Sequence, residues 1–228
     1  MSGRRVALVS GGNRGIGAAI VEALAGHGWD VSVGMRRPRP VSGVAQVHPY
    51  DAQDRASEAA WVAAAVERFG RIDAIVANAG MMIPMTVIEA ADEDLDALFE
   101  VNVKSPLRLV RAAWPQLVAC GRGRVVTIVS LSGLRVKTPR SALYAVSKFA
   151  ALALTHAVRQ TGWEEGIRAV AVCPGFVVSD MSAAVTDRPA ETMTQPEDLA
   201  RIVAFVLDLP NTTSIATLPI NCTLEESL

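Results

Sequence analysis

Short apolar runs alternate with helix-period stretches along almost the whole chain. Strand-like runs rich in Val, Ile and Ala cover residues 5–10 (RVALVS), 30–35, 45–50, 72–80, 123–130, 167–175 and 214–220. Between them, residues 15–27, 51–70, 92–119, the run that opens with YAVSK at 144–148, and 195–210 carry apolar positions at helical spacing. The 195–210 helix starts with Pro196 in its first turn and acidic residues beside it, as a helix N-terminus favours. Within 92–119, Pro106 and Pro115 each lack an N–H donor, so bends are expected there. The segment 179–195 is polar and without period; it is expected to be a short mobile loop over a ligand site.

Strands that are apolar along their full length and alternate with helices imply a parallel sheet buried on both faces. Right-handed crossovers then give an α/β, doubly wound, parallel sheet of about seven strands in a single domain spanning 1–228. Ligands in such sheets bind at the carboxyl ends of the strands, which directs attention to the residues following each run.

The 228 residues suit one domain, and with half of them hydrophobic and 20% charged a large core can be buried. The net charge of −1 gives no basic face for nucleic acid. Three cysteines, Cys120, Cys173 and Cys222, show neither paired nor zinc-ligand spacing and read as small core residues in a reducing, cytoplasmic setting. The histidines lack metal spacing, and the four tryptophans read as packing residues. The N-terminal apolar run is too short for a signal peptide, and no apolar segment approaches the ~20 residues of a membrane span.

The strand ends carry the chemistry. After the first run stands SGGNRGIG (10–17), whose Gly11, Gly15 and Gly17 permit a tight turn and close backbone approach, with the next helix offering free N–H groups to a pyrophosphate. After the second run come Met35, Arg36 and Arg37 where dinucleotide folds place an acid; with Arg14 in the glycine turn, Arg36 suits a ribose phosphate, so NADP is expected in preference to NAD. Asp51 and Ala52 follow the third run; Asp51 either accepts from an adenine amino group or caps the next segment. Asn78, Ala79 and Gly80 follow the fourth, small enough for a close ligand, with an amide able to lock adjacent strands. Tyr144 and Lys148 lie four residues apart and so share a helix face, where the ammonium would stabilise a phenolate and lower the phenol pKa. Taken alone, a Tyr and Lys at this interval are better explained by chance on a helix surface, where such pairs are frequent.

SGGNRGIG, ANAG, the Ser130 turn, YAVSK and CPG, in this order and spacing, resemble the short-chain dehydrogenase/reductase (SDR) family over about residues 5–210. The resemblance implies a Rossmann-type fold, a nicotinamide dinucleotide and alcohol–carbonyl interconversion. It implies a catalytic set of Asn102, Ser130, Tyr144 and Lys148, with Tyr144 as general acid/base, Ser130 holding the substrate oxygen, and the Asn102 main chain holding a water that links Lys148 to solvent. It implies cofactor contacts from Gly11, Asn13, Arg14, Gly15, Ile16, Gly17, Arg36, Asp51, Ala52, Asn78, Ala79, Gly80, Tyr144, Lys148, Pro174, Gly175, Val177 and Ser179. Ser130 stands fourteen residues before Tyr144 and Ser132 twelve, so spacing leaves both open; the strand-end position and Gly133 favour Ser130. The tail SIATLPINCTLEESL departs from the family's usual ending, which leaves open how the expected homodimer or homotetramer assembles. No basic cluster is visible in the sequence, and a small, moderately apolar carbonyl or alcohol is the expected substrate. A non-catalytic NADP-binding sensor on the same fold is the competing reading, and an epimerase or dehydratase a third.

Overall fold

The structure is a computed structural model and describes residues 3–224. Seven parallel strands form one sheet: β1 Val6–Ser10, β2 Asp30–Met35, β3 Gln46–Pro49, β4 Ala74–Ala77, β5 Arg124–Ile128, β6 Arg168–Pro174 and β7 Thr217–Ile220. Their spatial order is β3-β2-β1-β4-β5-β6-β7, parallel throughout. The chain runs outward from β1 to β3 and then returns to β4 on β1's other side, so a switch point opens between β1 and β4. The helices are α1 Gly15–Gly26, α2 Ser57–Phe69, α3 Asp92–Phe99, α4 Ser105–Ala119, α5 Ala142–Thr161, α6 Asp180–Ala183 and α7 Pro196–Asp208.

Strand alternation divides the core in two. On β1, Ala7 and Val9 meet Ile20, Leu24, Leu199 and Val203 of α1 and α7, whereas Val6 and Leu8 meet Trp61, Leu109 and Leu117 of α2 and α4. Helix α5 completes the second layer, where its Ala151 packs on Ala171 and Cys173 of β6. Helices thus cover both faces of the sheet, as the unbroken apolar strands require.

Three expectations change. The 92–119 stretch is interrupted before Pro106: residues Glu100–Lys104 form a π-helical turn between α3 and α4, and α4 then continues through Pro115. Pro106 falls in the first turn of α4, where a missing N–H costs least. The segment after β6 is more ordered than its polarity suggests: it contains α6, a 3₁₀ turn at Ala190–Thr192 and a bridge between Val177 and Thr194. Finally, Pro139–Thr161 is apolar and long enough to cross a membrane by composition. Its Tyr144, Ser147, Lys148, Ala151 and Thr155 are buried, so it is a helix of the sheet's covering layer. The tail beyond residue 224 lies outside the described residues.

Candidate active site

The carboxyl ends of β1, β4, β5 and β6 open into one cleft of about 1730 Å³, larger than a single small-ligand pocket. Its floor at the β1–β4 switch is held by Asn78. The Asn78 side-chain amide donates to the Ser10 carbonyl at 3.0 Å and the Gly11 carbonyl at 3.3 Å, and the Asn78 and Ala79 N–H groups both donate to Ser10 Oγ. The strand-locking role expected of Asn78 is therefore present, with Ser10 as a partner that sequence reading missed. Gly17 stands where a Cβ would lie 2.3 Å from the Gly11 carbonyl oxygen and 2.6 Å from Asn78 Nδ2, so the turn closes only around glycine. Gly11 and Gly15 adopt positive φ, 67° and 50°.

At the end of β2, Arg36 and Arg37 line the cleft. Arg14 differs from expectation: its guanidinium pairs with Asp180 at 2.5 Å, bridging the glycine turn to α6. The carboxylate at the start of α6 captures it first, because the loop after β6 folds over the turn. Arg39, which sequence reading passed over, donates to the Asn13 carbonyl at 2.7 Å and holds the turn from the β2 side. Asp51 accepts from its own Gln53 N–H at 3.0 Å, the capping alternative, while its backbone N–H donates to Ser57 Oγ. Ala52 is gripped through its carbonyl by Arg108 at 2.9 Å. Arg108 in turn pairs with Glu58, which is 1% exposed, and with Glu100. Ser105 bridges Glu58 to the Tyr50 hydroxyl with two 2.6 Å contacts.

At the other end, Tyr144, Lys148, Ser130 and Asn102 converge. The Ser130 hydroxyl lies beside the Tyr144 phenol and favours its ionised form. Ser130 Oγ also accepts the Ser132 N–H at 3.0 Å, which orients it, and this pairing favours Ser130 over Ser132 as the partner of Tyr144. The turn Leu131–Gly133 can press onto α5 because Gly133 has no side chain; a Cβ there would meet the Lys148 carbonyl oxygen at 2.8 Å. Lys148 Nζ donates to the Ile128 carbonyl at 3.0 Å and lies 5.6 Å from the centre of the Tyr144 ring. Asn102, buried in the π turn, grips Met81 through both its N–H and its carbonyl at 2.9 Å and donates to Ser147 Oγ at 3.0 Å. Ser147 then donates to the Tyr144 carbonyl at 2.7 Å. Ser147 was missed in the sequence, although its place three residues after Tyr144 puts it on the same side of α5. The π turn widens the helix where Asn102 must turn inward, a common use of that geometry at functional sites.

Burial dominates the electrostatics here. It raises the Tyr144 phenol above its ordinary value, with the Ser130 hydroxyl pulling the other way. It lowers the Lys148 ammonium to about 8. This corrects the expectation of a phenol already depressed by its neighbour: water is excluded from both groups, and desolvation outweighs a cation that is itself costly to charge. Cys173 behind Lys148 is likewise pushed up to about 11 by burial and is a neutral core thiol.

Pro174 and Gly175 end β6, with the Gly175 N–H donating to the Ile220 carbonyl. Val177 is buried, and Ser179 caps α6 by accepting the Ser182 N–H at 3.2 Å, so its hydroxyl is engaged within the loop. Asn221 lines the cleft beside Gly175, and its side-chain nitrogen is buried and without a partner among the described residues. Among the described residues no cluster of His, Cys, Asp and Glu could hold a metal ion.

Residues 5–190 match the family model for short chain dehydrogenases. The chain belongs to the short-chain dehydrogenase family. It is similar to an agropine synthesis reductase of Rhizobium rhizogenes, 38% identical over 98% of this chain and 53% of the relative, so the chain spans about half the length of that curated relative. An uncharacterised oxidoreductase of Staphylococcus saprophyticus is 30% identical over 91% of this chain and 92% of its own length. Among solved structures, a short-chain dehydrogenase of Burkholderia cenocepacia in complex with NADP superposes with a TM-score of 0.85 at 30% identity, covering 97% of each chain. An alcohol dehydrogenase of the archaeon Thermococcus sibiricus complexed with 5-hydroxy-NADP gives 0.84 at 27% identity, covering 95% of this chain and 96% of its own. The match covers most of the chain and shows its family. The chain's cleft suits a dinucleotide on one structural ground, the side-chain-free cradle around Gly17 at the head of α1.

Proposed function

We propose that the protein transfers hydride between NADP(H) and a small carbonyl or alcohol substrate, with Tyr144 as the general acid/base. The observation that carries this reading is the meeting of Tyr144, Ser130 and Lys148 in the same cleft as the glycine turn. A bound reduced nicotinamide supplies the hydride to the carbonyl carbon. The chain's residues supply the rest. Ser130 holds the substrate oxygen, Tyr144 gives that oxygen its proton, and solvent replaces the proton, so each alcohol formed consumes one proton and one reduced cofactor. Lys148 contributes positive charge beside the phenol, and Asn102 fixes the floor through Met81 and the Tyr144 turn through Ser147. Gly11, Asn13, Gly15, Ile16, Asn78, Gly80, Pro174, Gly175, Val177 and Ser179 line the length a dinucleotide would occupy.

Support for NADP over NAD comes from Arg36 and Arg37, which line the adenosine end with no ion pair among the described residues, and from the NADP in the Burkholderia structure. A purely sensory protein has no need of a phenol, a serine and an ammonium kept together. The test is loss of NADPH absorbance over a panel of carbonyl compounds. Turnover should fall by roughly 10²–10⁴ in Tyr144→Phe while NADPH still binds. A wild type that binds NADPH yet reduces nothing in the panel defeats the reading.

A further inference from the structure

The loop before Tyr144 and the segment after α6 give the cleft a basic lining, which the sequence did not reveal. Arg135, Lys137 and Arg140 come from the loop between β5 and α5, and Arg188 comes from the segment after α6. These positions lie up to 53 residues apart in the chain, and folding brings them into the lining of one cavity with Tyr144 and Ser130. Among the described residues, the acids that the segment after β6 adds to the cleft lining are Asp180, which Arg14 engages at the glycine turn, and Asp187. Among the described residues Lys137, Arg140 and Arg188 form no ion pair, and the charge of Arg140 is the least of the influences that lower the pKa of the exposed Glu89, behind its bonds to Thr86. Met81 and Met82, which pack with Tyr144 and Leu143, add apolar surface to the same cleft, suited to a carbon skeleton.

Several like charges around a concave, partly water-excluded surface create a field that favours a ligand of opposite sign. The chain as a whole carries a net charge of −1, so this is a local arrangement and not a general basicity. The cofactor phosphates have their own cations at the opposite end in Arg36 and Arg37.

Resting on the reductase reading above, we propose that the substrate is an anionic carbonyl compound, its carboxylate or phosphate held by Lys137, Arg140 and Arg188 while its carbonyl lies at Ser130 and Tyr144. This replaces the neutral, moderately apolar substrate that the sequence suggests.

Two matched pairs of probes test it: 4-oxopentanoate against its methyl ester, and dihydroxyacetone phosphate against dihydroxyacetone. Binding to the full-length, NADP⁺-loaded protein is read by calorimetry and turnover by NADPH consumption. In at least one pair the anion should bind about tenfold tighter or better, and the pair that shows this tells carboxylate from phosphate. Added salt should erode the advantage in the wild type, a readout that needs no variant. Lys137→Glu/Arg140→Glu should abolish the preference with NADPH affinity unchanged. Equal treatment of anion and neutral partner in both pairs overturns the inference, as does a parallel loss of NADPH affinity in the double variant. Equal turnover of all four probes leaves the reductase reading standing and removes this one. Selective anion binding without turnover does the reverse.

Discussion

Replacing Lys148 by Met should inactivate the protein and stabilise it at the same time. The two side chains have similar length, so the change removes a charge from a site only 5% exposed while leaving the space filled. Burial lowers the ammonium from 10.5 to about 8, which at ~1.4 kcal/mol per pH unit makes its charged form cost ~3 kcal/mol in the folded state. The bond to the Ile128 carbonyl is lost, taking back ~1 kcal/mol. The net gain near neutral pH is ~2 kcal/mol, or roughly 4–8 °C in melting temperature for a chain of this size. The gain should depend on pH in a defined direction. Between about 8 and 10.5 the unfolded lysine holds a proton that the folded one has released, so wild-type stability rises with pH across that window. The Met variant lacks this contribution, and its advantage should shrink as pH rises through the same window. Thermal melts at about pH 7 and about pH 10, followed by circular dichroism, measure both effects. A variant that melts at or below the wild type near pH 7, or keeps a constant advantage at both pH values, refutes the reasoning. Such a stabilised, inactive variant is the pattern expected where a functional group is held at a cost.

Other substitutions probe the cofactor end. Arg36→Asp should weaken NADPH binding by roughly 10–100-fold and NADH binding far less, read by fluorescence titration; equal losses would remove the phosphate-binding role. Gly17→Ala puts a methyl into the Gly11 carbonyl and should abolish NADPH binding, with a fold loss of ~1–3 kcal/mol measured by urea denaturation. Arg108→Met strands the buried Glu58 carboxylate and should cost ~3–5 kcal/mol, partly recovered in Glu58→Gln/Arg108→Met. Because Arg108 also grips the Ala52 carbonyl, that double variant should show a raised KM for NADPH with kcat little changed.

The strands, their parallel arrangement and the glycine turn were legible in the sequence because each depends on neighbours within a few residues. An unbroken apolar run needs cover on both sides, and Gly11, Gly15 and Gly17 announce a backbone that side chains would obstruct. Tyr144 and Lys148 were legible for the same local reason, being one helical turn apart. What eluded sequence reading depends on contacts between distant segments. Asp180 takes Arg14 because the loop after β6 folds back over the first turn. Arg108 reaches the Ala52 carbonyl from 56 residues away. The pKa directions at Tyr144 and Lys148 follow from burial, which no spacing encodes.

The sequence by itself determined the element order, the turn that only glycine permits, and which residues share the face of α5. The tertiary structure alone decided which charges meet. It brought four scattered cations into the lining of one cleft and gave Glu58 a buried partner. Periodicity acts along the chain, whereas electrostatic pairing and desolvation act through space, and only folding sets those distances.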